Sequence, residues 1–368
     1  MSEPRRIRSL GIERPGQVFF HTYEEGPLSD DQFRVETLYT GLSAGTELTF
    51  FKGSNPYLQS TWDEQFCIFR EGEPSVSFPI TSLGYMEVGR VSESRTPAVQ
   101  VGEVVAMAYG HKTGHTAHPL RDFFVSLPPD LDPILGIYVA QMGPICANGL
   151  LHAAADLIGQ SVHGLGDGVR GSHVLVMGGG VVGLLTGLFA LHHGAATVAV
   201  ADFSPARLEA AQAVGFSAID RTQVEVWRYC KERWHHGLND RGADVVFQCR
   251  GQAAELQTAL RSLRPQGTVI DLAFYQGGAP EVRLGEEFHH NGLAIRCAQI
   301  GRVPRGLSHI WNRGRLARET IELLRTHGPL VRKHLITDVV PLEDAPALLT
   351  DLAARKRHVI QAVFEVPT

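Results

Sequence analysis

Three glycines that follow a short apolar run carry the clearest chemical signal in this sequence. Gly178, Gly180 and Gly183 form a G-x-G-x-x-G pattern directly after the run 173–177, and an apolar stretch of helical length follows them. In such a turn the first glycine permits a tight bend, the second lets a dinucleotide pyrophosphate approach the backbone, and the third lets the helix pack against the strand. The helix N-terminus adds N–H donors and a positive dipole end for the phosphates. We therefore predict a dinucleotide site at this turn, with Val182 as part of it.

An acidic residue at the end of the next strand predicts which dinucleotide binds. The apolar run 196–201 ends at Asp202, nineteen residues after Gly183. This spacing is close to that at which an acid meets the adenosine ribose hydroxyls. Because a carboxylate repels a 2′-phosphate, Asp202 favours NAD. Arg207, one turn into the following helix, leaves NADP open.

The uncharged run 174–191 also has a second interpretation. Its eighteen residues reach the length of a membrane-spanning helix. Five glycines with a turn signal among them, and a His-His-Gly sequence after the run, favour a buried strand and a helix instead. We therefore expect no membrane span.

Length, charge and cysteine content agree with a reduced, water-soluble enzyme. A chain of 368 residues exceeds what one hydrophobic core usually serves, so two domains are expected. A net charge of −5 gives no electrostatic reason to expect a nucleic acid or an acidic membrane as partner. No apolar segment of a secretory signal follows the basic residues near the start, so we expect a cytoplasmic protein. The five cysteines lie far apart and form no C-x-x-C, which favours free thiols.

The sequence predicts two kinds of secondary-structure arrangement, one in the first part of the chain and one around the glycine turn. Short apolar runs separated by turn residues dominate the first 45 residues and indicate a β-rich domain. Strand and helix patterns alternate after residue 171 and indicate a parallel α/β sheet. The patterns predict helices at 137–157 and 222–234 and strands at 216–220, 243–248, 267–272 and 293–300.

Three segments of the β-rich part, 41–53, 84–91 and 101–106, resemble the medium-chain dehydrogenase/reductase superfamily, when taken together with the glycine turn. The resemblance, to the alcohol and sorbitol dehydrogenases, implies an α/β protein. It implies a Rossmann domain with a doubly wound parallel sheet for a nicotinamide cofactor, a GroES-like β-rich catalytic domain, and a small-molecule substrate between them. On this basis we expect the catalytic domain at 1–155 and 306–368 and the Rossmann domain at 156–305. In relatives the last Rossmann strand pairs across a twofold axis, which implies a homodimer.

The resemblance also shows where the sequence departs from the zinc-dependent branch. The positions that match the zinc ligands hold Ala44, Tyr85 and Pro144, with Cys146 two residues away from the last one. Met86 replaces the glutamate next to the matched histidine. None of the matched residues is a usual zinc ligand, and the four-cysteine lobe that binds structural zinc is missing. We therefore expect no catalytic zinc.

A cluster of histidines leaves an unrelated metal site open. His111, His115 and His118 lie close together in the sequence. Their spacings lack a helical pattern that would place them on one face. A polar loop between strands is the interpretation we favour.

Without zinc, another group must handle the proton that accompanies hydride transfer. Tyr85 occupies a position that in relatives points into the cleft, and a phenol beside a positively charged nicotinamide could have a lowered pKa. Alternatively, Tyr85 fills the vacated metal cavity. Thr46 and Glu47 match the polar pair that relays protons and lies behind the metal in relatives, while Glu47 is equally explained as a structural ion-pair partner.

The resemblance supplies further cofactor contacts and one open question. Asn148 matches a residue near the nicotinamide, although an asparagine inside a helix also serves in packing. Gly251 and Ala273 follow strand ends that face the cofactor in relatives. The segment 54–83 is longer than its counterparts and is a lid beside the cleft, a surface insertion or an oligomer contact.

These observations together predict a zinc-independent, NAD(H)-dependent oxidoreductase. It would interconvert a secondary alcohol and a ketone on a sugar, a cyclitol or a biosynthetic intermediate. Two alternatives stay open. The first is an NADPH-dependent reductase of an activated C=C bond or a quinone, which needs no metal. The second is a protein that binds NAD(H) without catalysis.

Overall fold

The computed structural model describes residues 3–72 and 74–367. The chain forms two compact units, the first from Met1–Gln141 with Ile336–Thr368 and the second from Met142–Leu335. The expected domain borders at residues 155 and 305 therefore differ from those of the compact units. The reason is that two helices near these borders pack on each other and on the helix after the glycine turn, all within the second unit.

The first unit is built around a mostly antiparallel seven-stranded sheet, in agreement with the β-rich domain that the pattern near the start predicted. Two hairpins and two α-helices accompany the sheet. The elements of its first segment are β1 (Arg5–Arg14), β2 (Gln17–Glu25), β3 (Phe33–Gly41), α1 (Ala44–Phe51), β4 (Ser60–Asp63), β5 (Ile68–Glu71), β6 (Glu87–Ser94), β7 (Val104–Met107), β8 (Gly114–Ala117) and β9 (Val125–Ser126).

The second unit contains a six-stranded parallel sheet with helices between the strands. Its helices and strands are α2 (Met142–Ile158), β10 (His173–Met177), α3 (Val181–His192), β11 (Thr197–Asp202), α4 (Pro205–Ala213), β12 (Ser217–Asp220), α5 (Val226–Arg233), β13 (His235–Gly237), β14 (Asp240–Arg241), β15 (Ala243–Gln248), α6 (Ala253–Ser262), β16 (Leu263–Asp271), β17 (Ala294–Cys297) and α7 (Arg313–His334).

The strand order of this sheet is β12-β11-β10-β15-β16-β17. Counted from β10, the order is 3-2-1-4-5-6, which is that of the doubly wound dinucleotide-binding fold. The predicted Rossmann fold is therefore confirmed. The uncharged run 174–191 divides into β10, a turn and α3, and no helix within the described residues is long and apolar enough to cross a membrane.

The last segment of the chain returns to the first unit. It contributes β18 (Ile336–Pro341), α8 (Ala345–Ala353) and β19 (Gln361–Glu365). The sheet order is β18-β19-β3-β6-β7-β9, and β8 pairs with β3. Strand β3 lies between β19 and β6, so the start and the end of the chain share one core.

Two predicted helices begin later than the patterns indicated. A 3₁₀ helix spans Pro133–Tyr138, and α2 begins only at Met142. Proline lacks an N–H and fits only the first turn of a helix, so Pro144 limits how early α2 can start. Similarly, the Asp220 carboxylate accepts the backbone N–H of Thr222 at 2.8 Å. This side-chain turn occupies the residues before α5.

The long segment 54–83 forms a small hairpin of β4 and β5 in the first unit. Residue 73 of this segment lies outside the described residues. Phe66, Ile68 and Phe69 are 50–60% exposed there. The structure thus gives the segment a defined strand pair, and its role as a lid stays a prediction.

Candidate active site

The glycine turn between β10 and α3 has the geometry that the glycine pattern predicted. Gly178 has a φ of +102°, which L side chains rarely adopt. A Cβ on Gly183 would collide with the carbonyl oxygen of Gly178, so only glycine allows this contact between helix and strand. The conformational roles predicted for Gly178 and Gly183 are therefore confirmed.

The second glycine of the turn leaves space for a ligand. Gly180 is the N-cap of α3 with a φ of −76°, and none of the described atoms lies within 4 Å of the position that its Cβ would take. The first intrahelical bond runs from the Leu184 N–H to the Gly180 carbonyl, so the N–H groups of the preceding turn, including that of Val182, have no partner inside the helix. The turn therefore fits a dinucleotide diphosphate.

The carboxylate of Asp202 already accepts hydrogen bonds from the backbone, which the sequence did not reveal. Asp202 is 2% exposed. Its Oδ2 accepts the Gly179 N–H at 2.7 Å, and its Oδ1 accepts the N–H groups of Phe203 and Ser204 at 2.8 and 2.9 Å. The Arg207 guanidinium lies 3.5 Å from Oδ2. Because a carboxylate has about four lone-pair sites, Asp202 holds the glycine turn to β11 and has little capacity left for ribose hydroxyls.

Two further arginines lie near this strand end, and one of them, Arg221, was missed by the sequence analysis. Phe203 is 43% exposed, and the guanidinium carbons of Arg221 and Arg250 lie 4.5 and 5.1 Å from its ring centroid. Arg221 forms an ion pair with the buried Glu255. Both arginines follow a strand of the parallel sheet, so the rule that ligands bind at the carboxyl ends of the strands pointed to them.

The other expected cofactor residues of the sheet also follow strand ends. Gly251 comes after β15, and a Cβ there would collide with the carbonyl oxygen of Phe274. The N–H of Ala273 donates to Asp271 Oδ1 at 2.9 Å after β16. Gly251 and Tyr275 also line a cavity of about 410 Å³. The positions agree with the expected ligand edge of the sheet, and contact with a cofactor stays a prediction.

Asn148 has a packing role in the structure. It is fully buried in α2, and its Nδ2 donates to the carbonyl oxygens of Gln299 and Arg302 at 3.0 and 3.3 Å. These bonds fasten α2 to the segment after β17. Of the two interpretations of Asn148, the structure therefore favours packing.

In the first unit, three hydroxyl groups meet at the start of α1. The Tyr85 hydroxyl hydrogen-bonds the Ser43 hydroxyl and lies 3.5 Å from the Thr46 Oγ1. Ser43 is the N-cap residue of α1, and Thr46 lies in its first turn. We call Ser43, Thr46 and Tyr85 the hydroxyl cluster.

The surroundings of Tyr85 keep its phenol protonated. Burial raises the pKa of Tyr85, and the charges of Glu47 and Glu87 raise it further, while hydrogen bonds with Ser43 and Thr46 act in the opposite direction. The net shift is upward. The lowered pKa that we expected is therefore not produced by the first unit, and Tyr85 is equipped to donate a proton at neutral pH.

Glu47 forms an ion pair in the interior, with a partner that the sequence analysis missed. It is 1% exposed. Its Oε1 accepts the Ser43 N–H at 2.7 Å, and its Oε2 lies 2.7 Å from the Nε2 of His111. His111 lies in the loop between β7 and β8, as expected, but it is fully buried there. The structural ion-pair interpretation of Glu47 is the one that these contacts support.

The two neighbouring histidines do not converge on His111. His115 lies 3.6 Å from Asp122 and 3.2 Å from Lys112, and burial lowers the pKa of its imidazole to about 4. Within residues 3–72 and 74–367, no group of three His, Cys, Asp or Glu side chains is placed to hold a metal ion.

The residues at the matched zinc positions do not fit the metal. Ala44 offers a methyl group, Tyr85 a protonated phenol and Pro144 no donor at all, whereas catalytic zinc takes three thiolate, imidazole or carboxylate ligands. The nearby Cys146 is fully buried, and burial raises the pKa of its thiol to about 12. A thiol with that pKa is not a ready metal ligand.

Comparisons with known proteins indicate which family the chain belongs to. A family model described as zinc-binding dehydrogenase matches residues 181–310. A sorbitol dehydrogenase of Bacillus subtilis is 31% identical over 358 residues, which cover 92% of each chain. The chain belongs to the medium-chain dehydrogenase/reductase superfamily. A D-guloside 3-dehydrogenase of Escherichia coli is 24% identical over 349 residues, covering 92% of this chain and 94% of the other.

Solved structures of the superfamily share the fold. An alcohol dehydrogenase from Thermotoga maritima has a TM-score of 0.75 at 18% identity and covers 99% of this superfamily member. A zinc-binding dehydrogenase from Sinorhizobium meliloti, solved with bound NADP, has a TM-score of 0.71 at 20% identity and covers 98%. The predicted membership and fold class are confirmed, and the chain is an oxidoreductase of the alcohol dehydrogenase type.

Proposed function

We propose that this superfamily member is a zinc-independent oxidoreductase that uses NAD(H) to interconvert a secondary alcohol and a ketone on a polar small molecule. The observation that carries the proposal is the hydroxyl cluster. It brings together Ser43, Thr46 and Tyr85 next to Ala44. By resemblance, Ala44 and Tyr85 match positions that hold metal ligands in zinc-dependent relatives. Proton-donating groups thus stand where a Lewis acid would otherwise act.

The second unit would hold the nicotinamide dinucleotide. Backbone N–H groups at Gly180 and Val182 would receive the diphosphate, while Asp202 and Arg207 would lie beside the adenosine ribose. Gly251 and Ala273 would follow at the ligand edge of the sheet. When bound, the cofactor supplies or accepts the hydride.

The first unit would supply the proton. In ketone reduction, the carbonyl oxygen receives the phenolic proton of Tyr85 as the carbonyl carbon gains the hydride. The resulting phenolate accepts hydrogen bonds from Ser43 and Thr46, and it regains a proton from solvent. Alcohol oxidation is the reverse. The raised pKa of Tyr85 keeps the phenol near neutral pH in the protonated form that donates to the ketone oxygen.

The relatives support a hydroxylated substrate. Their names describe dehydrogenases of sorbitol and of a guloside. We therefore infer that the substrate is a sugar, a cyclitol or a similar biosynthetic intermediate.

A second candidate is NADPH-dependent reduction of an activated C=C bond or a quinone. The specific observation in its favour is the state of Asp202, whose oxygens are occupied by three backbone N–H groups and whose charge is offset by Arg207. Arg221 and Arg250 add positive charge nearby. This arrangement reduces the repulsion of a 2′-phosphate.

The deciding experiment follows the near-ultraviolet absorbance of reduced nicotinamide with a strong chelator present throughout. NAD⁺ or NADP⁺ is supplied with pooled sugars, cyclitols and alcohols. We expect a rise with NAD⁺ that the chelator leaves unchanged. Activity that the chelator abolishes would contradict zinc independence. If no pool changes the absorbance but NADPH is oxidised with enones, the second candidate is favoured. If the absorbance is unchanged in both assays, the protein binds the cofactor without catalysis.

Replacing the phenol tests the proton step directly. Tyr85→Phe should lower turnover by about 10²-fold or more, because general acid catalysis typically contributes that much. The dissociation constant of the cofactor should stay the same, since Tyr85 lies in the first unit. A matched control is Tyr57→Phe, in the same unit outside the hydroxyl cluster. Unchanged turnover of Tyr85→Phe would remove this residue from the mechanism.

We further infer that two copies pair through the outer edge of β17, as in relatives. This strand lies at one end of the parallel sheet, and its Ile295 is 37% exposed. A cytoplasmic location stays a prediction.

A further inference from the structure

A chain of four buried side chains crosses the core of the first unit. Glu47, His111, Thr40 and Glu87 are each at most 1% exposed. The His111 Nε2 lies 2.7 Å from Glu47 Oε2, and the His111 Nδ1 lies 2.6 Å from Thr40 Oγ1. Thr40 Oγ1 in turn lies 3.1 Å from Glu87 Oε1. We call these four residues the buried network.

The strands and turns around the network determine its geometry. Thr40 on β3 and Glu87 on β6 are opposite each other in the antiparallel ladder. The backbone N–H of His111 donates to the Leu83 carbonyl at 2.6 Å. Gly84, with a φ of +100°, lies so close that a Cβ there would be 2.7 Å from the imidazole ring. The imidazole is therefore held in one place.

Counting hydrogens shows that the network needs one proton beyond a neutral imidazole and two carboxylates. Thr40 has a single hydroxyl hydrogen, yet acceptor atoms of His111 and Glu87 both face its oxygen. If Thr40 donates to His111, Glu87 must be protonated and donate to Thr40. If Thr40 donates to Glu87, Nδ1 must carry a hydrogen for Thr40, and Nε2 must carry another for the ionised Glu47, so the imidazole is doubly protonated. Without the extra proton, one buried lone pair would face another, which is costly.

We propose that the buried network holds one such proton, shared between Glu87 and His111 through Thr40, and that it positions the hydroxyl cluster for the proposed reaction. The kinetic part of this inference rests on the proposed function, whereas the proton itself is measurable without turnover. His111, Thr40 and Glu87 are positioning residues in this scheme.

The connection to the hydroxyl cluster passes through Glu47. One of its oxygens pairs with His111, and the other accepts the N–H of Ser43, whose hydroxyl bonds Tyr85. The charges of Glu47 and Glu87 both raise the pKa of Tyr85. If the network lost its proton, its net negative charge near the phenol would increase by one unit.

The electrostatic directions agree with a retained proton. Burial raises the pKa of Glu87. Burial opposes the charged form of His111, but the charge and hydrogen bond of Glu47 and the charge of Glu87 outweigh it, so the pKa of His111 is also raised. The other charged or titratable groups that act on Glu87 or surround it are Lys112, Tyr85 and Tyr109. The ring of Phe364 packs edge-on against the imidazole and excludes water on that side.

The first test detects the bound proton through the pH dependence of the unfolding equilibrium. Above the ordinary pKa values of Glu and His, the folded protein would bind one proton more than the unfolded chain, so folded stability falls as pH rises. We expect the unfolding equilibrium constant to rise tenfold per pH unit relative to Glu87→Gln, whose amide donates to Thr40 without a titrating proton. His118→Gln, seven residues from His111, is the matched control and should keep the wild-type slope. Equal slopes for wild type and Glu87→Gln would overturn the proposal.

A second measurement uses the wild-type protein alone, so it does not depend on a variant that folds. NMR of the chain with ¹⁵N-labelled histidine and ¹³C-labelled glutamate carboxyl groups reports where protons reside at pH 7. We expect either a protonated Glu87 or a doubly protonated His111, with occupancies that add up to one proton. A neutral imidazole beside a deprotonated Glu87 would overturn the proposal.

The third measurement tests positioning separately from the proton. The pH profile of kcat in wild type should show an ionisation at the pH where the network loses its proton, and Glu87→Gln should lack it. Identical profiles would overturn the positioning role while the proton count stands. Failure of the proposed function would instead appear as absence of turnover in wild type, with the linkage slopes unaffected.

Discussion

The glycine turn of the second unit and the buried network of the first unit are built in opposite ways. The turn uses six consecutive residues, and its specificity lies in backbone conformation, with Gly178 at positive φ and Gly183 against a carbonyl. The network uses side chains that are 47 to 71 residues apart in sequence, joined by hydrogen bonds. A site made of neighbouring residues is therefore recognisable in the sequence, whereas a site made by strand pairing is not.

Breaking the network should produce the largest effect on stability. Glu47→Ala would leave His111 buried without its charged partner, and the loss of one partner of a buried pair costs about 4 kcal/mol. We expect this loss in the free energy of unfolding, measured by urea denaturation. The control is Glu343→Ala, because Glu343 forms an ion pair with Arg8 at 3.0 Å but is about half exposed. That variant should lower the free energy of unfolding by less than about 1 kcal/mol. Equal losses in the two variants would contradict the expected difference between a buried and an exposed ion pair.

Breaking the turn should produce the next largest effect. In Gly183→Ala the new methyl group meets the backbone oxygen of Gly178, which no rotamer change relieves. We expect a loss of about 3 kcal/mol in the free energy of unfolding.

Gly180→Ala is the matched control for this change within the same turn. Its φ of −76° suits alanine, and the described atoms leave the Cβ position open. Its unfolding free energy should stay within about 0.5 kcal/mol of wild type. Titration with NAD⁺ should nevertheless show weaker binding, because the methyl group would occupy space that the diphosphate needs. A Gly180→Ala variant as unstable as Gly183→Ala would show that the turn is rigid throughout.

Local patterns were sufficient to predict the plan of the fold. The apolar runs and the glycines between them indicated β10, the turn and α3, and the alternation after residue 171 indicated a parallel sheet. The errors arose where one side chain overrode the pattern. Asp220 forms a turn with Thr222 and delays α5, and hydrophobic periodicity does not register such a bond.

The site was predictable only in part, for a related reason. The resemblance pointed to Thr46, Glu47 and Tyr85, and the structure brings them close together. It did not indicate that His111, 64 residues after Glu47, would be the partner of that carboxylate. Pairing of β3, β6 and β7 determines this contact, and a single sequence does not contain the register of the strands.

Asp202, beside the glycine turn, is a second residue whose hydrogen-bond partners the sequence does not reveal. The residue type at the strand end is visible in the sequence, and a carboxylate there usually indicates NAD. The structure adds the donors that already occupy it, which are the N–H groups of Gly179, Phe203 and Ser204. We therefore predict that the hydrogen bonds of this residue are a better guide to cofactor choice than its type alone.

Arg207 offers the finest test of this point and the smallest expected effect. In Arg207→Ala the Asp202 carboxylate loses the cation 3.5 Å away, so its charge acts more strongly on a 2′-phosphate and one lone pair becomes available to a ribose hydroxyl. We expect the ratio of NADP to NAD affinity to fall about tenfold, which corresponds to roughly 1.4 kcal/mol, the scale of one hydrogen bond to a charged group. Isothermal titration with each dinucleotide measures the ratio. Arg228→Ala, which removes an exposed arginine paired with Glu232, is the control and should leave the ratio unchanged. A ratio that is the same in Arg207→Ala and wild type would mean that Asp202 already acts with its full charge, and that the carboxylate rule alone decides between the two cofactors.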